Sequence, residues 1–310
     1  MNSLTPLPQL FSYDHPLEAD EDKVGLLRDS SDASEDFEEL GRRFAEEGYL
    51  FMKGYLNRDQ VLGARSSIAK RLADAGILDE KYDPMEAICI PESGYVFKPE
   101  FADNNAEVQE LLYSGALTDF YLKLYGEEIR HYDFTWLRAV GPGKGTNPHC
   151  DLPYMGRGTH QHMTCWMPYG DISFELGGLM ILEGSHKRQD LLKNYVFRDV
   201  DTYCENKPEQ LNRANEDGWT FPSFTGTLSH NPPMLRNKFG GRWLTSEFEA
   251  GDFLTFGMFT IHASLDNRSK NRLRISSDSR YQRASEPIDD RWIGQNPPGH
   301  TKAGKRGRIC

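Results

Sequence analysis

Two residues of the sequence, His149 and Asp151, stand two positions apart and could bind one metal ion. In an extended segment, side chains at positions i and i+2 point to the same side, so this imidazole and this carboxylate can reach a common point. A third ligand is available in His262, which follows the apolar run 253–256. Two histidines and one carboxylate on one face of a metal ion leave coordination positions open, as in non-haem Fe(II) oxygenases. A His-x-Asp pair is also frequent by chance, so it needs support from its surroundings.

The surroundings of the two histidines contain further motifs in a fixed order. They are the turn 141–148 before His149, then Trp166, Gly177-Gly178-Leu179 and Gly184-Ser185-His186, and, after His262, Ser264, Asn267 and the run 272–276. Each of these motifs alone has little specificity. The set as a whole is specific, because all of these motifs occur in one chain and in one fixed order.

This ordered set resembles the phytanoyl-CoA dioxygenase-like family of Fe(II)- and 2-oxoglutarate-dependent oxygenases over about residues 48–282. The resemblance implies a mainly β fold of the α+β class, a double-stranded β-helix (jelly roll) with N-terminal helices packed outside it. It also implies an enzyme that uses Fe(II) as its metal, 2-oxoglutarate as its co-substrate and O2 as its oxidant.

The resemblance also implies roles for individual residues. Fe(II) would be bound by His149, Asp151 and His262. An arginine a little after the last histidine would hold the distal carboxylate of 2-oxoglutarate by a bidentate charged contact. Ser264 matches a family serine near the co-substrate, and Trp166 matches a tryptophan on the strand that faces the pocket.

Two arginines compete for the 2-oxoglutarate contact. Arg272 lies ten residues after His262 and Arg274 lies twelve after it, whereas the commonest family spacing falls between them. We favour Arg274, because Ser276 would place a hydroxyl donor beside its guanidinium and Tyr281 occupies a position where related sequences carry an aromatic residue. Arg272 stays open as the alternative.

The identity of Asp151 narrows the reaction that the resemblance implies. Family members that halogenate carry a small residue at this position, so that chloride can coordinate the metal there. We therefore expect hydroxylation of an unactivated C–H bond of a small organic molecule, with release of succinate and CO2. Two alternatives stay open: the same cofactors could support desaturation, cyclisation or epimerisation, or the chain could be a non-catalytic metal-binding jelly-roll module.

The elements that must position these residues change in character along the chain. Residues 1–34 are rich in proline, serine and acidic residues and predict a poorly packed acidic tail. Apolar residues at helical spacing then predict a helix capped by Ser34 and a second helix capped by Asn57. Short apolar runs between turn residues follow from Ile129 and predict strands, namely Ile129–Val140, His160–Met167, Leu179–Leu182, Phe253–Phe256 and Arg272–Arg280.

We interpret residues 35–310 as a single dioxygenase domain. Its segment 187–249 is too long and too polar for a simple connection, which predicts an insertion with little regular structure that closes over the substrate. The basic stretch 302–308 is interpreted as a solvated tail.

Other residues with reactive side chains favour structural roles. His160 and His162 alternate on one predicted strand, so at most one of them should face the pocket. Cys150 should point away from the metal as core filling, while Tyr132 or Arg138 could contact the substrate.

Composition restricts the remaining classes of function. The chain has 310 residues with 36 basic and 47 acidic side chains, a net charge of −11 that argues against a nucleic-acid partner. It has no apolar stretch of roughly 18 residues and no secretory signal pattern, so neither a membrane nor an export role is expected. The five cysteines show no Cys-x-x-Cys spacing and are interpreted as free thiols. We expect a cytoplasmic protein with a small-molecule substrate and no disulfide-linked partner.

Overall fold

A computed structural model describes residues 7–91 and 94–310. Its α-helices are α1 (Phe37–Glu47), α2 (Arg58–Asp74), α3 (Ala106–Tyr113), α4 (Gly115–Tyr125), α5 (Leu152–Met155), α6 (Gln189–Val196), α7 (Pro208–Ala214) and α8 (Pro232–Phe239). Its strands are β1 (Leu10–Ser12), β2 (His15–Leu17), β3 (Val24–Leu26), β4 (Tyr49–Met52), β5 (Tyr95–Phe97), β6 (Ile129–His131), β7 (Trp136–Val140), β8 (Met163–Pro168), β9 (Leu179–Leu182), β10 (Thr202–Cys204), β11 (Trp243–Thr245), β12 (Phe253–Gly257), β13 (His262–Ser264), β14 (Arg274–Arg283) and β15 (Arg306–Arg308). None of the helices in the described ranges combines the length and the apolar composition needed to cross a membrane.

The first two helices begin and end at residues suited to those positions. The side chain of Asp36 accepts a hydrogen bond from the backbone N–H of Glu39 at 3.0 Å and so caps α1, two residues after the cap expected at Ser34. Helix α1 ends at Gly48, whose φ of 79° is a left-handed conformation that glycine adopts at little cost. Asn57 caps α2, as the sequence predicts.

Most strands belong to two main sheets. The larger sheet has seven strands in the order β4-β12-β8-β14-β7-β5, with β6 also paired to β14, and its pairs are antiparallel. The smaller sheet has the order β13-β9-β11-β3, in which only β3 runs parallel to its neighbour. Two sheets combined with helices confirm the α+β class predicted from the sequence.

The larger sheet has two different apolar faces. Its inner face meets the smaller sheet in one cluster, which contains Phe51, Trp166, Leu254 and Phe256 from the larger sheet and Leu179, Ile181 and Leu244 from the smaller one. Its outer face packs on the N-terminal helices in a second cluster, which includes Ile68, Leu112, Phe120, Met167 and Ile275. The helices therefore cover one side of the sheet only, in agreement with the prediction that they pack outside the β fold.

Strand β14 contributes charged side chains to the inner face. Asp278 lies opposite Trp166 of β8, and Ser276 lies opposite Arg138 of β7. Because side chains alternate along a strand, every second residue of β14 shares the face of Trp166. These inner-face residues of β14 are Arg274, Ser276, Asp278 and Arg280.

The poorly packed tail predicted for residues 1–34 does not describe residues 7–34, while residues 1–6 lie outside the described range. Leu10, Leu17 and Val24 are buried in an apolar cluster. Strand β3 extends the smaller sheet by pairing with β11. A few apolar residues at the right spacing are enough to add a strand to an existing sheet edge, even where the surrounding composition is polar.

The segment 187–249 is also more regular than its composition predicts. It contains α6, α7, α8 and β10, and its strand β11 is an inner member of the smaller sheet. Asn231 caps α8 by accepting a hydrogen bond from the backbone N–H of Met234. Polar residues in this segment thus serve as caps and helix surfaces.

The prediction of free thiols is wrong for two of the five cysteines, because Cys204 and Cys310 form a disulfide. Strand β15 pairs with β10 so that Cys204 lies opposite Arg308, which brings Cys310 within reach. The sequence separation of 106 residues hides this pairing from any reading of local spacing. The end of the basic stretch 302–308 is accordingly not a free tail, because residues 306–308 pair with β10 while they stay exposed to solvent.

We predict that thiol titration of the denatured, unreduced protein detects three cysteines, Cys89, Cys150 and Cys165, and that reduction raises the number to five. Cys310→Ser should expose one additional thiol without reduction, because Cys204 loses its partner. Detection of all five thiols without a reductant would contradict the disulfide.

Candidate metal centre

His149 and His262 are joined through their backbones. The N–H of His149 donates to the carbonyl of His262 at 3.0 Å, and the N–H of His262 donates back at 2.9 Å. This two-bond bridge holds the two imidazole centroids 4.3 Å apart. Asp151 follows at the start of α5, where the chain turns back toward the same point.

The three side chains converge on one point. Nε2 of His149 lies 3.9 Å from Oδ1 of Asp151, and Nε2 of His262 lies 3.6 Å from the same oxygen. Their possible ligand atoms all lie within 4.8 Å of one another. In the described part of the chain this is the one such group of three or more histidine, cysteine or acidic side chains.

Backbone carbonyls fix the orientation of both imidazoles. Nδ1 of His149 donates to the carbonyl of Asn147 at 2.7 Å, and Nδ1 of His262 donates to the carbonyl of Thr260 at 3.1 Å. Since a carbonyl can only accept, each Nδ1 carries the proton and each Nε2 presents a lone pair. Burial lowers the pKa of His262 to about 3 and also lowers the pKa of His149, so both rings are neutral near pH 7, as metal binding requires.

Asp151 uses its two carboxylate oxygens differently. Oδ1 faces the histidines, while Oδ2 accepts hydrogen bonds from Oγ1 of Thr164 at 2.5 Å and from Nη2 of Arg280 at 3.1 Å. Burial alone would raise the pKa of this carboxyl, but the guanidinium of Arg280 holds it well below its usual range. The carboxylate is therefore ionised and offers one fixed oxygen.

Thr164 and Arg280 were not predicted from the sequence. A signal for Arg280 exists, because it lies six residues after Arg274, and an even separation on one strand places both on the same face. Its guanidinium also lies 3.9 Å from the ring centroid of Trp136, which holds it in place from the other side. A comparable signal exists for Thr164, which lies two residues before Trp166 on the predicted strand 160–167 and therefore shares its face.

These residues fit Fe(II). Two neutral imidazoles and one carboxylate oxygen supply the ligand atoms of a facial triad. The other polar atom of each side chain, Nδ1 of the histidines and Oδ2 of the aspartate, forms a hydrogen bond that orients the ligand. The observation behind this fit is the position of Oδ1 of Asp151, which lies 3.9 Å from Nε2 of His149 and 3.6 Å from Nε2 of His262.

The two arginines proposed for 2-oxoglutarate lie in different environments. Arg274 is buried on the inner face of β14, where its Nη1 donates to the carbonyl of Gly177. Arg272 precedes the strand and is exposed to solvent. Ser276 is buried beside Arg274 on the same face.

The remaining predicted co-substrate residues are buried in the same interior. Oγ of Ser264 accepts a hydrogen bond from the backbone N–H of Thr146 at 2.7 Å. Trp166 packs its ring 4.8 Å from that of Phe248. Ser264 thus lies on β13, the strand that also carries His262, whereas Trp166 lies in the apolar cluster between the sheets.

Histidines 160 and 162 do not join the metal group. His160 is exposed, and His162 is buried with its Nδ1 3.3 Å from the hydroxyl of Tyr132. Cys150 is buried next to Tyr195, whose hydroxyl accepts a hydrogen bond from its backbone N–H. The structural roles expected of these residues agree with these positions.

A cavity of about 310 Å³ opens above the metal group. His149, Asp151 and Arg280 form part of its lining, together with Arg138, which forms an ion pair with Asp278. Its apolar wall consists of Phe97, Trp136, Tyr154, Met155, Trp219 and Phe221. The cavity therefore combines a polar floor with aromatic sides, as is usual for small-molecule sites.

Residues 107–276 match the family model for phytanoyl-CoA dioxygenase, which covers more than half of the chain. The chain belongs to this family. The match confirms the resemblance found in the sequence, and it includes His149, Asp151, His262 and Arg274.

Curated relatives agree with this membership. The chain is 26% identical over 262 residues to 1-deoxypentalenic acid 11-beta-hydroxylase of Streptomyces exfoliatus, an alignment that covers 81% of this chain and 83% of the relative. It is 24% identical over 272 residues to the protein of the same name from Streptomyces arenae, with the same coverage.

Solved structures share the fold. EctD from S. alaskensis with 2-oxoglutarate and 5-hydroxyectoine has a TM-score of 0.53 at 14% identity and covers 97% of this chain and 95% of its own. The epimerase SnoN with Fe3+, α-ketoglutarate and nogalamycin RO has a TM-score of 0.51 at 17% identity, covering 84% of this chain and 92% of its own. The carbocyclase SnoK from nogalamycin biosynthesis has a TM-score of 0.52 at 18% identity, covering 81% and 85%.

Family membership and the His149–Asp151–His262 geometry together make this chain an Fe(II)- and 2-oxoglutarate-dependent oxygenase. The predicted enzyme class and cofactors are thereby confirmed. The alternative of a non-catalytic module is set aside.

We predict that Thr164→Val and Arg280→Met each weaken Mn(II) binding roughly 10- to 100-fold, because Oδ2 of Asp151 loses a donor and the carboxylate can rotate. Calorimetric titration of the metal-free protein measures this effect. Arg130→Met, which removes an exposed arginine of β6, is the matched control and should leave the affinity unchanged. Equal Mn(II) affinity in all three variants would show that the hydrogen bonds from Thr164 and Arg280 to Asp151 do not contribute to metal binding.

Proposed function

We propose that this oxygenase hydroxylates an unactivated C–H bond of a small organic molecule bound in the aromatic-lined cavity, while 2-oxoglutarate is converted to succinate and CO2. The observation that carries this proposal is that His149 and Asp151, which converge with His262 on one point, line that cavity. A bound C–H bond would lie directly above the metal position, with aromatic side chains excluding water.

The metal is proposed to bind His149, Asp151 and His262, and when bound it activates O2 together with 2-oxoglutarate. The chain contributes an ionised carboxylate and two neutral imidazoles with fixed orientations. Asp151 fills the position that a halide would need, which supports hydroxylation over halogenation.

The distal carboxylate of 2-oxoglutarate is proposed to bind Arg274, with Ser276 as a neighbouring donor and with Ser264 and Trp166 in the surrounding wall. Burial of Arg274 on the inner face supports this choice, since a guanidinium there can contact a ligand between the sheets. Arg272 is exposed, so its guanidinium would have to move out of solvent to contact such a ligand.

The architecture proposed for this function is a double-stranded β-helix formed by the two facing sheets, within one domain that comprises residues 35–310 together with β3, which extends the smaller sheet. The segment 187–249 is proposed to close over the substrate. Its residues Trp219, Phe221 and Thr227 already line the cavity, which supports that role.

The substrate class has one further indication. The two curated relatives are named for a hydroxylation of 1-deoxypentalenic acid. Hydroxylation is the outcome that we favour, and epimerisation or cyclisation, the reactions named for SnoN and SnoK, are the alternatives.

Turnover against a metabolite library tests the reaction. We expect a substrate that stimulates succinate formation and a product that gains one oxygen atom by mass spectrometry. His262→Ala should abolish succinate formation while its circular dichroism spectrum stays that of the wild type. A product with unchanged mass, or with the loss of two hydrogens, would replace hydroxylation by epimerisation or by desaturation and cyclisation.

Replacement of the two arginines tests the co-substrate contact. Removal of one partner from a buried guanidinium–carboxylate pair costs roughly 2–5 kcal/mol. Arg274→Ala should therefore raise the 2-oxoglutarate concentration needed for half-maximal rate about 30-fold or more, with Mn(II) affinity retained. Arg274→Lys should restore only part of the loss, because lysine lacks the planar fork.

Arg272→Ala is the matched control, and its requirement for 2-oxoglutarate should stay close to that of the wild type. A large effect in Arg272→Ala together with a small one in Arg274→Ala would reassign the contact to Arg272.

A further inference from the structure

His300 lines the same cavity from the C-terminal end of the chain. It lies outside residues 107–276, which match the family model. Several contacts hold this end against the body of the protein: β15 pairs with β10, Cys310 is bonded to Cys204, and Nη1 of Arg157 donates to the carbonyl of Gly304 at 2.7 Å. The position of His300 is thus fixed by the fold.

Asp201 sets the tautomer of His300. Its Oδ2 lies 2.9 Å from Nδ1 of the imidazole, and both side chains are at most 2% exposed. The same oxygen accepts a hydrogen bond from Nη1 of Arg291, so it is an acceptor and Nδ1 of His300 donates to it. Nε2 then carries the lone pair.

The protonation state of His300 depends on a small set of groups. Burial lowers its pKa, Asp201 and Asp199 raise it, and Arg291 lowers it, with a net decrease below the usual value. The ring is therefore neutral near pH 7, and Nε2 is an acceptor.

Nε2 of His300 forms no hydrogen bond with another group in residues 7–91 and 94–310. The ring is enclosed by aromatic side chains, with centroids of Trp292, Trp219 and Phe221 at 4.9, 5.0 and 5.2 Å. Nε2 is not fully enclosed by these rings, so it can accept a hydrogen bond from a ligand that enters the cavity.

His300 is also connected to the metal group through one residue. The ring of Tyr154 lies 6.0 Å from that of His300 and 5.5 Å from that of His149. A small molecule whose polar group reaches Nε2 of His300 would therefore extend along Tyr154 toward the metal position. The charged residues at that floor already have partners, since Arg280 contacts Asp151 and Arg138 contacts Asp278.

We propose that His300, oriented by Asp201, is a substrate-recognition residue, and that the substrate is a largely apolar small molecule bearing a hydroxyl group that donates to Nε2. The proposal rests on the proposed function, because it assigns the substrate class of the same cavity. Asp201 is a positioning residue that acts through His300. A ketone with the same carbon skeleton lacks the donor and leaves Nε2 unpaired.

Borneol and camphor provide a matched test, since they share one bicyclic skeleton and differ in hydroxyl and ketone. Their binding is measured by calorimetry on the protein loaded with Mn(II) and 2-oxoglutarate, so the result does not depend on turnover. We expect borneol to bind about 10-fold tighter than camphor, the worth of one buried hydrogen bond.

Variants of His300 assign this preference to the residue. His300→Phe should remove it while Mn(II) still binds, and His300→Gln, whose amide oxygen can accept, should retain part of it. His160→Phe, at an exposed histidine outside the cavity, is the matched control and should keep the full preference. Heteronuclear NMR of the histidine rings should show the Nδ1–H tautomer for His300, and Asp201→Asn should weaken it.

Four outcomes would overturn the proposal: equal binding of the two compounds, no binding of either, a preference that survives in His300→Phe, or an Nε2–H tautomer. If His300→Phe does not fold, the tautomer and His300→Gln decide. Failure of the proposed function would be recognised separately, as the absence of succinate formation with every substrate.

Discussion

The rest of the site depends on keeping one buried carboxylate ionised. Asp151 is almost fully excluded from solvent, and an unpaired charge in such a position would take up a proton. Arg280 and Thr164 prevent this by occupying Oδ2, which leaves Oδ1 for the metal. The positions of β8 and β14, which carry these two partners, are therefore constrained by the chemistry at Asp151.

Strand β14 meets this constraint by having two unlike faces. Its outer face contributes Ile275 and Tyr281 to the core beneath the helices. Its inner face carries Arg274 and Arg280, one proposed for the co-substrate and one holding the metal carboxylate. A single strand thus relates the two binding positions rigidly, and a shift of its register by one residue would turn both arginines into the apolar core.

The cavity walls come from parts of the chain that are distant in sequence. Phe97 precedes the segment that matches the family, Trp219 and Phe221 belong to it, and His300 follows it. Pairing of β10 with β15 and the Cys204–Cys310 disulfide bring the last two parts together. The three candidate metal ligands therefore lie within the segment that matches the family model, whereas part of the cavity wall lies outside that segment.

The sequence by itself determined the class of the protein and predicted its metal ligands, because the motifs around His149, Asp151 and His262 are local and occur in a recognisable order. It also determined the helices near the N-terminus and the inner strands, because their apolar periodicity is a local property. Tertiary structure alone decided the support of Asp151 by Thr164 and Arg280, the packing of β3, the disulfide and the Asp201–His300 pair. Each of these joins residues far apart in the chain, and only strand register and burial bring such residues within hydrogen-bonding distance.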